Sequence, residues 1–235
     1  MPCKICNWLC DRFCPPELSS QSFWETTYRW EDEFARDWEP WEDDDILRTQ
    51  VSEAVELLKT NASQALELLI ALADKGSVPA MRWVGYLYDG YPGIGENQEM
   101  AGEYYHRALC AGSWSSTISY ANFLYRRGEH KYWPNVLEDG MAQGFVPAFF
   151  WYSWNKYRLR PSNRVAHEVR PLMLIAVEAG HPGAELVLAR WAARGRFGLR
   201  KIPEGFRLIP SIVAKASAAH KDKQTADTEL KTNAP

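Results

Sequence analysis

The sequence predicts an all-α fold, a right-handed α-solenoid of stacked antiparallel helix pairs, and three observations lead to this prediction. Glycines recur at intervals of 36, 32 and 36 residues, at Gly76, Gly112, Gly144 and Gly180. Small residues stand at fixed distances after each of these glycines, and the apolar residues nearby follow helical periodicity. Nothing in residues 46–218 alternates with a period of two, which argues against a sheet.

The chain begins with a cysteine-rich segment, residues 1–19, which holds Cys3, Cys6, Cys10 and Cys14. Helical spacing places these thiols near one face, where four thiolates could bind zinc or an iron–sulfur cluster. The spacing matches no strong metal-binding signature, so we expect no cofactor. Metal binding or redox chemistry, acylation at a membrane surface and an incidental thiol-rich helix remain open alternatives.

Residues 20–45 form an acidic, tryptophan-rich arm. It combines ten acidic residues with several aromatic ones, among them Trp24, Tyr28, Trp30, Phe34, Trp38 and Trp41. A disordered acidic segment rarely holds so many aromatic side chains. We expect a capping arm whose aromatics pack on the first repeat while its carboxylates face water. The alternative is a partner-binding segment with aromatic anchors.

Residues 46–218 form the predicted repeat domain. The residue four after each repeat glycine is small, namely Ala80, Ser116, Ala148 and Ala184. The residue nine after it is also small, namely Gly85, Ala121, Ser153 and Ala189. Small residues at these spacings let a second helix approach closely, and the glycine suits a helix stop. The predicted pairs are 46–60 with 62–75, 78–89 with 98–111, 115–127 with 132–143, 146–157 with 163–179, and 182–194 with 202–218.

The tail, residues 219–235, is predicted to be disordered because Leu230 is its one large apolar residue. No apolar run approaches the roughly 20 residues of a membrane-spanning helix, and the N-terminus does not resemble a signal peptide. We therefore expect a cytoplasmic protein without a transmembrane span. Peripheral membrane attachment stays open.

Charge is distributed unevenly, although the net charge is only −3. Residues 1–75 carry a balance of −9 and residues 150–215 a balance of +8. Opposed charges of this kind suit a charged partner or head-to-tail self-association.

The repeat motifs resemble the Sel1-like repeat family, a relative of the tetratricopeptide repeats. Residues 80–112, "AMRWVGYLYDGYPGIGENQEMAGEYYHRALCAG", match best, and residues 184–205 match next. The copies at 113–144 and 146–179 depart from the pattern in their loops. The resemblance covers about residues 62–218. It implies a Sel1/TPR-like α-solenoid and a non-enzymatic scaffold or adaptor that assembles complexes, in bacteria often around signalling or envelope processes.

Catalytic motifs are lacking in the sequence, so we expect no enzyme. The five histidines form no i, i+4 pair of metal-ligating histidines, and no serine stands in a G-x-S-x-G context. The "GIGENQ" stretch is not a phosphate-binding loop because no Gly-Lys-Ser/Thr follows it.

The predicted partner-binding surface combines aromatic and arginine side chains, the types enriched in binding hot spots. Its candidates are Trp83, Tyr120, Trp151, Tyr152, Trp154, Arg158, Arg160, Arg190, Arg194 and Arg200. The expected partner is an acidic protein or peptide. The rival interpretation is a nucleic-acid-binding repeat protein that uses the same basic C-terminal half.

Overall fold

The computed structural model describes residues 21–36 and 45–214 of the 235-residue chain. The described residues form eleven α-helices and one short 3-10 helix, Leu199–Lys201. The α-helices are α1 (Gln21–Arg36), α2 (Asp45–Leu57), α3 (Ala62–Asp74), α4 (Val78–Tyr88), α5 (Gln98–Cys110), α6 (Trp114–Arg126), α7 (Trp133–Ala142), α8 (Val146–Leu159), α9 (Asn163–Glu178), α10 (Pro182–Ala193) and α11 (202–214).

Helix packing divides the described residues into two compact units. The first unit contains residues 34–148, in which consecutive helices from α2 to α7 pack against one another. The second unit contains residues 21–33 and 149–214, in which α9 packs on α10 and α10 shares an apolar core with α11. Regular structure within both described ranges is helical throughout. The predicted fold class, an all-α solenoid of packed helix pairs, is confirmed.

The repeat glycines end helices as the sequence predicts. Gly76, Gly112, Gly144 and Gly180 all have positive φ, with values of 98°, 92°, 85° and 84°. At the first of them, the N–H of Gly76 donates to Ala73 O at 3.0 Å and the N–H of Ser77 to Leu72 O at 3.1 Å. These two bonds define a Schellman motif, whose left-handed residue is usually glycine because a Cβ there is strained. The same pair of bonds recurs at the other three glycines.

Both columns of small residues lie inside the helical layers. The residues four after each glycine, Ala80, Ser116, Ala148 and Ala184, are completely buried. In the second column, Gly85 of α4 lies against the ring of Tyr105 from α5. The hydroxyl of Ser153 in α8 lies 3.5 Å from the carbonyl oxygen of Val169 in α9. Ala121 and Ala189 are also buried.

Replacing Gly85 with alanine is expected to destabilise the first unit. A Cβ at this position would lie 2.8 Å from Cδ1 of Tyr105. That ring is buried, and its hydroxyl donates to Asp89 at 3.3 Å, so it cannot move without losing a contact. We expect a loss of about 1–3 kcal/mol in the free energy of unfolding, measured by urea denaturation.

Gly95→Ala is the control within the same unit, because its new Cβ would meet nothing within 4 Å and its φ is not positive, so we expect little change in stability. A Gly85→Ala protein that unfolds at the wild-type urea concentration would show that α4 and α5 do not approach as closely as this.

Two described aromatics of the acidic arm, Tyr28 and Trp30, have ring contacts within the second unit. That the arm caps the first repeat stays a prediction. Tyr28 of α1 stacks on Trp151 with ring centroids 6.0 Å apart, and Trp30 meets His181 edge-on at 5.0 Å. The expectation that the carboxylates of the arm face water does not hold for Glu31, which is buried. Its partners come from α8 and from the N-terminus of α10, which fixes where this part of the arm lies.

Candidate binding cleft

A cleft of about 450 Å³ opens in the second unit, where the C-terminal ends of α8 and α10 meet. We call it the arginine cleft, because every charged residue among those that line it is an arginine. Its lining residues are Trp154, Tyr157, Arg158, Pro161, Trp191, Arg194 and Arg196.

A glycine turn brings two of these arginines to the same end of α10. Gly195 has a φ of 69°, and its N–H donates to Ala192 O at 2.9 Å. The N–H of Arg196 donates to Trp191 O, also at 2.9 Å, which completes a Schellman motif. Arg194 and Arg196 therefore flank the turn. Cations are favoured at this end of a helix because its unpaired carbonyls carry partial negative charge.

Aromatic rings form the floor of the cleft. The rings of Tyr157 and Trp191 lie with their centroids 4.1 Å apart, and both side chains are buried. The guanidinium of Arg158 lies 5.9 Å from the ring of Trp154, and that of Arg196 lies 5.7 Å from the ring of Tyr157. Both distances suit cation–π contact, which holds the arginines over an apolar base.

Arg196 is the most enclosed of the three cations. Its side chain is only 8% exposed, and its Nη1 donates to Oδ1 of Asn163 at 3.3 Å. Its buried Nε has no hydrogen-bond partner among the described residues. Leaving a buried donor unsatisfied costs roughly 1–3 kcal/mol.

The tyrosine in the floor stays neutral at neutral pH. Burial raises the pKa of Tyr157 above its usual value, although the nearby Arg196 and Arg194 act in the opposite direction. The three guanidinium groups therefore give the lining a net positive charge. An anion with an apolar body matches both the charge and the floor.

The structure brings three of the predicted partner-binding residues, Trp154, Arg158 and Arg194, into this cleft. Arg160 and Arg200 are exposed but do not line it, and Arg190 and Tyr152 are partly buried. Two further candidates, Trp83 and Tyr120, belong to the first unit and are partly buried there.

Sequence reasoning missed Trp191 and Arg196, and it left Tyr157 out of the predicted set. Gly195 was the signal that could have identified Arg196. A glycine that ends a helix places the next side chain beside the helix end.

The prediction that Trp151 contacts a partner is wrong, because this side chain is only 4% exposed. Its ring stacks on Tyr28, and its Nε1 donates to Oε1 of Glu31 at 2.8 Å. A side chain enclosed in this way cannot contribute to an external surface.

A buried acid–histidine pair was also missed. Oε1 of Glu31 lies 2.8 Å from Nε2 of His181, and the backbone N–H of Ala184 donates to Nδ1 of the same imidazole at 3.2 Å. Because Nδ1 accepts a hydrogen bond, Nε2 carries the proton and donates it to Glu31. His181 thus caps α10 and anchors α1 with its two nitrogens. Burial raises the pKa of Glu31, although the bonds from His181 and Trp151 act against this shift.

The four clustered cysteines, Cys3, Cys6, Cys10 and Cys14, lie outside the described residues, as does the predicted tail. Within residues 21–36 and 45–214, no three histidine, cysteine, aspartate or glutamate side chains come together as a metal site would require. No helix in that same part of the chain has the length and apolar character to cross a membrane.

Two solved structures share this architecture. One is a Sel1 repeat protein from Oxalobacter formigenes, 15% identical, with a TM-score of 0.57 over 80% of this chain and 78% of the other. The second is a protective antigen of uropathogenic Escherichia coli strains with an SLR fold, 17% identical, with a TM-score of 0.52. This match covers 73% of the present chain but only 44% of the antigen.

No protein-family model and no curated protein matches the sequence. At 15–17% identity, the two structural matches establish the fold. The Sel1-like repeat architecture predicted from the glycine and alanine columns is thereby confirmed.

Proposed function

We propose that the chain is a non-enzymatic scaffold that binds a protein or peptide partner through the arginine cleft and helps to assemble a complex. The observation that carries this proposal is the cleft itself, in which three arginines lie over an aromatic floor and no acidic residue stands among the described residues of the lining. Arginine and rigid aromatics dominate protein-binding hot spots. Stacked helix pairs commonly provide surfaces that hold another chain.

The charge of the cleft supports an acidic partner. Arg158, Arg194 and Arg196 all line one space, and electrostatic complementarity favours a partner of the opposite charge there. The surrounding residues 150–215 carry a positive balance, which would speed encounter with a negatively charged chain.

The buried acid–histidine pair supports binding rather than catalysis. Glu31 and His181 are the best-placed partners for proton transfer among the described residues, but their side chains are 7% and 0% exposed. Each also has an internal role, because His181 caps α10 and Glu31 accepts from Trp151. A substrate cannot reach this pair without displacing α1.

A pull-down from the native lysate, with and without nuclease, tests the proposal. The bait is the full chain, compared with a variant in which Arg158, Arg160 and Arg194 are replaced by glutamate. We expect a discrete protein that survives nuclease and is lost with the variant. Loss occurs because reversed charges repel an acidic partner.

The matched control reverses three exposed cations of the first unit, Arg48, Lys75 and Lys131, and should retain the partner. Recovery that disappears with nuclease would favour nucleic-acid binding instead. Equal loss in both variants would contradict a role for the cleft.

A further inference from the structure

We infer that a cleft in the first unit binds an arginine side chain from a second copy of the chain. The cleft has a volume of about 540 Å³ and lies where α5 and α6 pack against each other. We call it the glutamate cleft, because three glutamates stand among its lining residues. It belongs to the other unit than the arginine cleft, so this inference goes beyond the proposed function.

The three carboxylates of the glutamate cleft are free of ion pairs in the described part of the chain. Glu99 and Glu103 are exposed and lie one turn apart on α5, and Glu129 follows the C-terminal end of α6. Within residues 21–36 and 45–214, no basic side chain pairs with any of them. Electrostatic complementarity therefore favours a positive group in this space.

Arg127 also lines the cleft, but its guanidinium is engaged with uncharged groups. Its Nη1 donates to the side-chain oxygen of Gln98 at 2.9 Å, and the guanidinium lies 5.4 Å from the ring of Phe123. It forms no ion pair with a carboxylate of the described ranges. Three carboxylates and one guanidinium leave the described lining with a net negative charge.

A half-buried aromatic ring makes arginine a better ligand than lysine for this cleft. Tyr120 is one of the lining residues, and its ring stacks on that of Phe123 with centroids 6.4 Å apart. A guanidinium is planar and weakly hydrated, so it can lie on an aromatic ring while its N–H groups meet carboxylates. Arg127 already lies over the ring of Phe123 in this manner. The exposed part of Tyr120 offers a second arginine the same kind of contact.

The second unit of the same chain carries arginines that match this cleft. Residues 150–215 have a balance of +8. Arg160 and Arg164 are both exposed and bound the turn that joins α8 to α9, which we call the arginine turn, residues 160–164. Neither side chain pairs with a carboxylate of the described residues. Ser162 lies between them, and its Oγ accepts a backbone N–H of α9 at 3.2 Å, so the turn is ordered before a partner arrives.

A second copy is the occupant that both surfaces support. Among the described residues of one chain, the glutamate cleft lacks a paired cation and the arginine turn lacks a paired carboxylate. Two copies can bring the turn of one to the cleft of the other. The contact joins two different surfaces, so it is heterologous and leaves a turn and a cleft for further copies. We therefore expect oligomers that grow with protein concentration and weaken with salt.

Sedimentation velocity of the full chain tests the inference. At about 0.05 M salt the mean sedimentation coefficient should rise with protein concentration, and at about 0.5 M salt it should rise much less, because exposed charges are screened. One variant, Glu99→Arg with Glu103→Arg, reverses the charge of the cleft, and another, Arg160→Glu with Arg164→Glu, reverses that of the turn. Each variant alone should associate at least about fivefold more weakly than the wild type.

A mixture of the two variants separates loss of the contact from loss of folding. The first variant retains the arginine turn and the second retains the glutamate cleft, so an equimolar mixture should associate again. The matched control, Glu53→Arg with Glu67→Arg, makes the same change of charge at exposed residues of the first unit outside the cleft. We expect this control to associate within about twofold of the wild type.

A wild-type chain that stays monomeric at low salt over the whole concentration range would overturn the inference. Binding of a labelled polyarginine peptide to such a monomer, lost with Glu99→Arg and Glu103→Arg, would assign the cleft to a different basic chain. A control that loses as much association as the cleft variant would show that net charge decides, not the cleft. A mixture of the two variants that stays monomeric, with both folded by circular dichroism, would show that these surfaces do not meet.

Discussion

Replacing Gly205 with alanine is expected to lower the free energy of unfolding by about 3 kcal/mol, although the same change usually stabilises a helix interior. Gly205 lies in α11, where a new Cβ would come within 2.6 Å of the carbonyl oxygen of Ala189 and would also meet the backbone of Ala193. Backbone atoms cannot turn aside as a side chain can. The helix must therefore shift away from α10 and open the core that both helices share.

Urea unfolding monitored by tryptophan fluorescence measures this loss, because Trp191 is buried in α10. Gly95→Ala is the control, since its new Cβ would meet nothing within 4 Å and its φ is not positive. We expect that control to change stability by no more than about 0.5 kcal/mol. A Gly205→Ala protein as stable as the wild type would mean that α11 does not cross α10 at this glycine.

The helix pairs could be predicted from sequence because their signals are local. A glycine such as Gly76 needs only its own backbone conformation and the preceding turn to end a helix. The contact between Gly205 and α10 has no such local signal. A glycine inside a helix is unfavourable by itself, and only the neighbouring helix explains its presence.

Two arginines of the cleft could be predicted from composition, but periodicity could not tell which tryptophan lines it. Arg158 and Arg194 belong to a visibly basic part of the chain, so composition alone singled them out. Periodicity did not separate Trp154, which lines the cleft, from Trp151, which is buried three residues earlier. The deciding contact comes from Glu31, 120 residues before Trp151 in the chain. Local patterns carry no information about a partner at that distance.

Replacing Glu31 with alanine is expected to cost about 3 kcal/mol of stability. The change removes the shared acceptor of Trp151 Nε1 and His181 Nε2, and both donors remain buried. Glu31→Gln is the matched variant, because its side-chain carbonyl can still accept both bonds while the charge is removed. We expect it to retain most of the stability lost in Glu31→Ala, measured by urea unfolding at neutral pH.

The pH dependence of stability, compared between the wild type and Glu31→Gln, shows whether the buried Glu31 carboxyl is neutral or charged in the folded protein. Burial raises the folded-state pKa of Glu31. At pH values between the unfolded and the folded pKa, the folded protein therefore keeps a proton on Glu31 that the unfolded chain has released. The stability contributed by this proton is fully present below the unfolded pKa, which is about 4.5, and is lost as the pH rises through the higher folded pKa. The stability of the wild type relative to Glu31→Gln should therefore fall as pH rises above about 4.5, while the other carboxyl groups affect both proteins equally. A difference that stays constant or grows with pH would mean that the carboxylate is held in its charged form, stabilised by His181 more than it is destabilised by burial.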